Sequence, residues 1–193
     1  MKELILEMEE YAKEHNVPII EKESIAFIIK FIKANNIKEI LEIGSAIGYS
    51  AILMASVNDD IKLTTIERDE TRYMECLKNV KKCGMQDKID VVCQDALEVN
   101  LSGVAYDLIF IDAAKAQYRR FFEKYSPLLN EKGIIVSDNL LFHGLVEKEE
   151  IDGKDLRALI RKIKNYNNWL FENEEYDTTF LRIGDGMAIS IKK

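Results

Sequence analysis

Residues 39–50 read EILEIGSAIGYS, and this stretch decides the fold. Its first half, Glu39 to Gly44, is nearly all apolar, which is typical of a parallel strand buried on both faces. Helical periodicity begins directly afterwards and runs from Tyr49 to Val57. Between the two the chain must turn sharply through Gly44 and Gly48, and such a turn lets a flat or anionic ligand approach the backbone. The stretch therefore predicts a strand, loop and helix that cradle a nucleotide-like ligand.

This loop differs from the fingerprint of dinucleotide-binding proteins. The pattern G-x-G-x-x-G needs a glycine where Ala46 stands, and its third glycine would fall one residue beyond Gly48. A nicotinamide-dependent oxidoreductase is therefore an alternative that the glycine pattern disfavours. A nucleotide-binding module without catalysis is a second alternative, since it would need the same loop.

Outward from this stretch, short apolar runs alternate with amphipathic segments. Two helices are predicted first, at residues 2–15 and 19–34. The strands predicted after them are residues 39–44, 62–67, 89–95, 106–112 and 133–138. The helices predicted between and after these strands are residues 49–57, 69–83, 116–128 and 154 to about 170. Right-handed β-α-β crossovers with helices on both faces of a parallel sheet satisfy this order.

The last two apolar runs, residues 178–183 and 187–192, flank the turn Gly184-Asp185-Gly186 and predict an antiparallel hairpin. The fold class is therefore α/β, a doubly wound Rossmann-like sheet of seven strands, mostly parallel. We expect one domain over residues 1–193, with residues 1–36 as a helical N-terminal cover and residues 37–193 as the core.

Composition narrows the class of protein. The 193 residues carry a net charge of −7, which argues against a general nucleic-acid coat. No apolar run approaches the roughly 20 residues of a membrane span, and the N-terminus lacks the apolar core of a signal peptide, so a cytoplasmic protein without a membrane partner is expected. Cys76, Cys83 and Cys93 match neither a disulfide framework nor a zinc ligand set.

Polar residues at the ends of the predicted strands are candidates for ligand binding, because ligands bind at the carboxyl ends of such sheets. Glu67 ends the second strand, where a carboxylate can accept from both ribose hydroxyls of an adenosine. The third strand ends at Asp95, with Ala96 next, and Asp95 can accept from an adenine amine. A solvated acid at Glu67 and a helix N-cap at Asp95 are the alternatives.

Strands four and five end in Asp112 and in Asp138-Asn139. Adjacent strands would bring two carboxylates and an amide oxygen together, a set that suits Mg²⁺ and leaves positions for substrate oxygens. Lys115 follows Asp112 closely and is a candidate base, although it could equally be a surface lysine. Capping and turn roles are the alternative for the acids. His15 and His143 are given no role.

Four segments together resemble the metal-dependent O-methyltransferases of the catechol and caffeoyl-CoA type: residues 42–50, 65–67, 110–115 and 137–139. The resemblance runs through almost the whole chain. Within that family the chain is most similar to the bacterial tRNA 5-hydroxyuridine methyltransferases, on residues 15–20, 141–146 and 184–190. Two departures are Ala116, where the family usually has glycine, and a start about one helix later than in many members.

This resemblance implies an S-adenosylmethionine pocket, a divalent cation such as Mg²⁺ and a homodimer. The implied cofactor-binding residues are Ile20, Glu42, Gly44, Ser50, Glu67, Asp95, Ala96 and Asp112. The implied metal ligands are Asp112, Asp138 and Asn139, with Asp112 and Lys115 as catalytic residues. The implied acceptor is 5-hydroxyuridine in the tRNA anticodon loop, with Arg119, Arg120 and Lys124 as candidate phosphate contacts. A small catechol-like molecule is the alternative acceptor.

Overall fold

The computed structural model describes residues 1–148 and 150–193. Its strands are β1 (Glu39–Ile43), β2 (Lys62–Glu67), β3 (Ile89–Cys93), β4 (Tyr106–Ile111), β5 (Leu129–Ser137), β6 (Tyr176–Leu181) and β7 (Met187–Lys192). Its α-helices are α1 (Lys2–Glu14), α2 (Lys22–Ala34), α3 (Tyr49–Ala55), α4 (Glu70–Lys82), α5 (Tyr118–Tyr125) and α6 (Lys154–Glu172). Short 3-10 turns lie at Lys115–Gln117, Ser126–Leu128 and Leu145–Glu147.

The seven strands form one sheet in the order β3-β2-β1-β4-β5-β7-β6. The first five strands pair in parallel, and β7 lies antiparallel between β5 and β6. The predicted α/β class, the seven strands and the antiparallel C-terminal hairpin are confirmed. Strand order reverses between β1 and β4, which pair through Ile43 and Ile111 at their carboxyl ends. This reversal places a crevice beside the loop that follows β1.

Both faces of the sheet are covered, which explains the apolar runs in the sequence. Ile40 on β1 packs into a core with α2 and α3, including Ile28 and Ile52. Leu41, the next residue, points into the opposite core, which is rich in aromatic side chains from α5 and α6. Each central strand is therefore buried on its two sides, and only its ends can meet a ligand.

Two element boundaries differ from prediction in ways that matter for the site. The helix predicted over residues 116–128 is α5 flanked by two 3-10 turns, and Pro127 lies at the start of the second turn. Proline lacks the backbone N–H that would continue the α-helical pattern. The second helix begins at Lys22 rather than Ile19, because Glu21 is extended (φ −65°, ψ 145°). In the part of the chain that the structure describes, no helix is both long and apolar enough to cross a bilayer.

Candidate active site

The loop after β1 is held in place by its two glycines. Gly44 has φ +99°, and a Cβ atom there would overlap the carbonyl oxygen of Asp112 at the end of β4. Gly48 has φ +83°, and its Cβ would lie 2.7 Å from the Sγ atom of the buried Cys76 on α4. Larger residues would therefore push the loop away from both neighbours, and the close packing of the loop on β4 depends on glycine.

Glu67 at the end of β2 is 7% exposed and organises the same loop. Its Oε2 accepts from the backbone N–H of Ala46 at 2.9 Å. Its Oε1 accepts from the backbone N–H groups of Arg68 and Asp69, also at 2.9 Å. The carboxylate thus keeps a fixed position at the edge of the crevice with acceptor capacity left for a ligand.

A cavity of about 420 Å³ opens at the carboxyl ends of β1, β2 and β4, within the range of cofactor pockets. Its lining includes these predicted site residues: Ile20, Gly44, Ser50, Glu67, Asp95, Ala96, Asp112, Lys115 and Asn139. The segment Pro18–Glu21 between α1 and α2 also lines it, which gives the predicted N-terminal cover a wall of the cavity.

Two predicted site residues, Glu42 and Asp138, lie behind the cavity wall rather than on it. Glu42 is fully buried and accepts hydrogen bonds from the hydroxyls of Ser50 and Thr65. Burial raises the pKa of Glu42 to about 7, against the lowering effect of these two bonds. Glu42 can therefore orient Ser50, which does reach the cavity.

Asp95 stabilises a turn rather than a helix N-terminus, because the described part of the chain forms no helix between β3 and β4. Its Oδ1 accepts from the backbone N–H of Leu97 at 2.9 Å, and its Oδ2 lies 3.6 Å from the guanidinium of Arg68. The next residue, Ala96, is buried and lines the cavity. Asp95 still borders the cavity, so the local bond and a ligand contact are compatible.

Asp138 is the most unusual polar group in the site. It is 1% exposed, and neither carboxylate oxygen makes a well-formed hydrogen bond among residues 1–148 and 150–193, although the adjacent Asn139 acts to lower its pKa. Burial, followed by the charge of Asp112, raises the pKa of Asp138 to about 7. Burial also raises the pKa of Asp112. The charge of Asp112 thus disfavours the charged form of Asp138, while the nearby Lys115 ammonium acts to lower the pKa of both acids.

The residues present fit a hard divalent cation. Orphaned oxygens of Asp138, the carboxylate of Asp112 and the amide oxygen of Asn139 are ligands that Mg²⁺ accepts. Asn139 adopts a left-handed backbone conformation, with φ +62°, directly after the buried Asp138. No cluster of three or more His, Cys, Asp or Glu suited to a metal occurs in the described ranges, so the amide would be an essential third ligand.

Lys115 lies between these groups. Its Nζ donates to Oδ1 of Asn139 at 2.6 Å and lies 5.6 Å from the ring centroid of Phe142. Burial lowers the pKa of Lys115, and the nearby Asp112, Asp138 and Asp185 oppose this effect. A partly desolvated amine beside two acids at the cavity wall can hold or accept a proton there.

Two residues given no chemical role by the sequence also lie here. His143 lines the cavity, and its backbone N–H donates to the buried carboxylate of Asp185. The sequence pattern assigned Asp185 only to a turn, because the flanking glycines are a sufficient turn signal. The one available signal was its acidic side chain between two glycines next to an apolar strand.

The basic residues predicted to contact phosphates do not line the cavity. Arg119 pairs with Glu123 and stacks on Trp169, with its guanidinium carbon 5.0 Å from the ring centroid. Arg120 donates to Gln117, and Lys124 donates to the carbonyl oxygen of Leu97. The arginines that do line the cavity are Arg68, whose guanidinium lies 3.6 Å from Oδ2 of Asp95, and Arg72.

Comparisons with known proteins agree with this geometry. The family model described as O-methyltransferase matches residues 1–193. The chain is 32% identical to tapetum-specific methyltransferase 1 of Arabidopsis thaliana, over 91% of this chain and 77% of that protein. It is 30% identical to a caffeoyl-CoA O-methyltransferase of Populus kitakamiensis, over 90% of this chain and 77% of that protein.

Among solved structures, a Staphylococcus aureus protein described as a candidate caffeoyl-CoA O-methyltransferase superposes with a TM-score of 0.94 at 42% identity. That superposition covers 98% of this chain and 92% of the staphylococcal one. The family model matches residues 1–193, and the strand order and the glycine loop beside Glu67 are consistent with that match. The chain therefore belongs to the O-methyltransferase family.

Proposed function

We propose that this methyltransferase uses a divalent cation such as Mg²⁺ to methylate a hydroxyl oxygen of a small, catechol-like molecule. The observation that carries the proposal is the buried, unpartnered carboxylate of Asp138 beside Asp112, Asn139 and Lys115. Family membership makes the chain an S-adenosylmethionine-dependent O-methyltransferase. The metal, the acceptor and the roles of individual residues go beyond what family membership establishes.

The cofactor end of the cavity is assigned to the side lined by Glu67, Asp95 and Ala96. Glu67 is fixed by three backbone N–H groups and keeps lone pairs free for ribose hydroxyls. Ile20 and Ser50 line the same cavity, and Glu42 acts through Ser50. Gly44 lets the loop approach the methionine part of the cofactor closely.

The acceptor end is assigned to the side lined by Asp112, Lys115 and Asn139. A bound divalent cation would supply positive charge that favours the anionic form of the acceptor hydroxyl. Asp112, Asp138 and Asn139 would hold it with oxygen ligands. Lys115 would receive or stabilise the proton that leaves the hydroxyl, and the cavity walls would align the oxygen with the sulfonium methyl group.

A small-molecule acceptor is supported by the Populus relative, whose name gives caffeoyl-CoA as its substrate. A 5-hydroxyuridine in the tRNA anticodon loop is the second candidate, favoured by the three segments at residues 15–20, 141–146 and 184–190. Against it stand the net charge of −7 and the local pairing of Arg119 and Arg120. We therefore rank the small molecule first.

The test is methyl transfer from labelled S-adenosylmethionine, with and without Mg²⁺, to caffeoyl-CoA, to catechol and to tRNA carrying 5-hydroxyuridine. Magnesium-dependent label on caffeoyl-CoA or catechol supports the proposal. If only the tRNA is labelled, the proposed small-molecule acceptor is wrong, whereas the assignment as an O-methyltransferase stands. If chelation of divalent ions leaves the rate of methyl transfer unchanged, the proposed role of the metal is wrong.

A variant of the buried acid sharpens this test. Asp138→Asn keeps the shape of the side chain and removes one candidate ligand charge, so we expect magnesium-dependent turnover to fall by about 100-fold or more. Binding of S-adenosylhomocysteine, measured by calorimetry, should change less than about twofold. Asp107→Asn is the matched control, because Asp107 accepts from backbone N–H groups at the opposite edge of the sheet.

A homodimer, a cytoplasmic location and a single domain with residues 1–36 as its cover stay predictions. Light scattering of the purified protein tests the first of these directly. A mass equal to that of the monomer at micromolar concentration would contradict the predicted homodimer.

A further inference from the structure

The turn Gly184–Gly186 between β6 and β7 holds the segment that follows β5. The carbonyl oxygen of Gly186 accepts from the N–H of Leu140 at 2.8 Å. The carbonyl oxygen of Asp185 accepts from the N–H of Leu141 at 2.8 Å. The side chain of Asp185 then accepts from the N–H of His143 through Oδ1. Three hydrogen bonds from one turn therefore fix the start of this segment.

The segment needs such anchors because its backbone is strained. Asn139, Phe142 and His143 have φ values of 62°, 47° and 55°. Left-handed backbone is unfavourable for residues that carry a Cβ atom, less so for Asn than for Phe or His. Conformations of this kind persist only where surrounding contacts determine them, and here Asp185 and Gly186 supply three of those contacts, beside the bond from Asn167 to the carbonyl oxygen of Leu140.

Two residues of this strained segment, Asn139 and His143, line the cavity, and Phe142 contacts the cavity residue Lys115. Phe142 stacks near Lys115, with the ammonium nitrogen 5.6 Å from the ring centroid. His143 lines the cavity and keeps 73% of its side chain exposed. The positions of both rings follow from this backbone, which Asp185 holds by accepting a hydrogen bond from the N–H of His143.

The other side of the turn contacts the opposite wall. A Cβ atom at Gly184 would overlap the hydroxyl of Ser24 and lie 3.2 Å from Oε2 of Glu21, which lines the cavity. A Cβ at Gly186 would overlap Leu141. The turn is thus packed without free space between the Glu21 wall and the Leu141 to His143 wall.

The side chain of Asp185 has features that a turn does not require. Its side chain is 5% exposed, and its Oδ2 has no hydrogen-bond partner within the described part of the chain. The His143 ring lies close to that oxygen, with Nδ1 3.8 Å away. A turn would tolerate a neutral residue, whereas this carboxylate is aimed at a residue of the cavity wall.

We propose that Asp185 is a positioning residue for the acceptor: by holding His143 and its strained neighbours, it shapes the wall against which the acceptor hydroxyl is placed. The inference rests on the proposed function, since it names an acceptor-side role. Asp185 does not itself line the cavity and contacts the lining through His143, on the acceptor side. Its loss should therefore separate acceptor recognition from cofactor binding.

The test compares Asp185→Ala, Asp185→Asn and the control Asp107→Ala. Asp185→Ala should raise the KM for the acceptor about 10-fold or more, since displacement of a wall by about 1 Å can cost up to about 100-fold in rate. The Kd for S-adenosylhomocysteine should stay within about twofold. Asp185→Asn keeps an oxygen that can accept from His143 and should recover most of the loss. Asp107→Ala should leave the acceptor KM unchanged.

Hydrogen exchange gives a readout that needs no turnover. Amides of residues 139–146 should exchange faster in Asp185→Ala than in the wild type, and those around Glu67 should not. The proposal is wrong if Asp185→Ala weakens binding of the acceptor and of S-adenosylhomocysteine equally. It is also wrong if the acceptor KM or the exchange rate of residues 139–146 is unchanged. If the wild type methylates no acceptor, the proposed function fails, whereas exchange still decides whether Asp185 anchors the segment. If Asp185→Ala does not fold, exchange in Asp185→Ser decides by the same criteria.

Discussion

The Nζ atom of Lys115 donates a hydrogen bond to Oδ1 of Asn139 at 2.6 Å, so the candidate base and a candidate metal ligand are bonded to each other. A divalent cation bound at the proposed site would compete with the lysine ammonium for the same amide oxygen, and their like charges would repel at short distance. Cation binding and deprotonation of Lys115 should therefore favour one another. This coupling connects the two halves of the proposed chemistry.

Replacing the lysine separates these effects. We expect Lys115→Met to lower kcat by about 100-fold or more, as for loss of a general base. The same variant should bind Mg²⁺ more tightly, because Asn139 loses its competing donor. Calorimetric titration with MgCl2 measures this, with Lys62→Met as control, since Lys62 donates to the carbonyl of Asp87 far from the site. Weaker Mg²⁺ binding by Lys115→Met would contradict the proposed coupling.

Glu67 should control cofactor affinity without involvement of the metal. In Glu67→Gln one acceptor oxygen becomes an NH₂ group, which faces backbone donors at Ala46 or at Arg68 and Asp69. Charge-assisted hydrogen bonds contribute about 1.5–3 kcal/mol each, so the Kd for S-adenosylhomocysteine should rise about 10-fold or more. Calorimetry in the presence of a chelator is the measurement. The neighbouring exposed Glu70→Gln should bind as the wild type does, and an unchanged Kd in Glu67→Gln would remove this assignment.

The glycine loop allows a matched pair of stability measurements. Gly44 and Gly84 both have positive φ, but a Cβ at Gly44 would overlap the backbone of Asp112, whereas nothing lies within 4 Å of a Cβ at Gly84. Gly84→Ala should cost only the conformational penalty of about 1–2 kcal/mol. Gly44→Ala should cost more, because the end of β4 must also move. Urea unfolding of both variants checks this, and equal losses would mean that the loop can shift freely.

The sequence allowed the strands and the loop to be predicted because their signals are local. Apolar runs buried on two faces and a turn through Gly44 and Gly48 need no knowledge of distant partners. Glu67 and Asp112 followed from the rule that ligands bind at the carboxyl ends of the strands. These residues do line the cavity.

Asp185 could not be placed in the same way, because its surroundings depend on a long-range pairing. Strand β7 lies beside β5, with Ala188 opposite Ser137, and only this register carries the turn to the segment after Asn139. The surroundings of Glu42 also depend on a neighbouring element. Glu42 shares the face of Ile40 on a strand covered by α3, so it is buried behind Ser50 rather than exposed to the cavity.

The burial of Glu42 has a measurable consequence for stability. Its pKa in the folded protein is raised from 4.5 to about 7, chiefly by burial, so folding binds a proton between these values. Stability from this group is therefore present at acidic pH and is lost as the pH rises from about 4.5 to about 7. A shift of this size corresponds to at most about 3 kcal/mol.

Glu42→Gln should remove that dependence. We expect the free energy of unfolding of the variant, relative to the wild type, to increase by up to about 3 kcal/mol between pH 4.5 and pH 8, because only the wild type must bury a charge at the higher pH. Urea denaturation at both pH values measures the difference, and Glu14→Gln at the exposed end of α1 is the control. A difference that is the same at both pH values would show that the hydroxyls of Ser50 and Thr65 fully stabilise the Glu42 carboxylate, so that burial does not govern its ionisation.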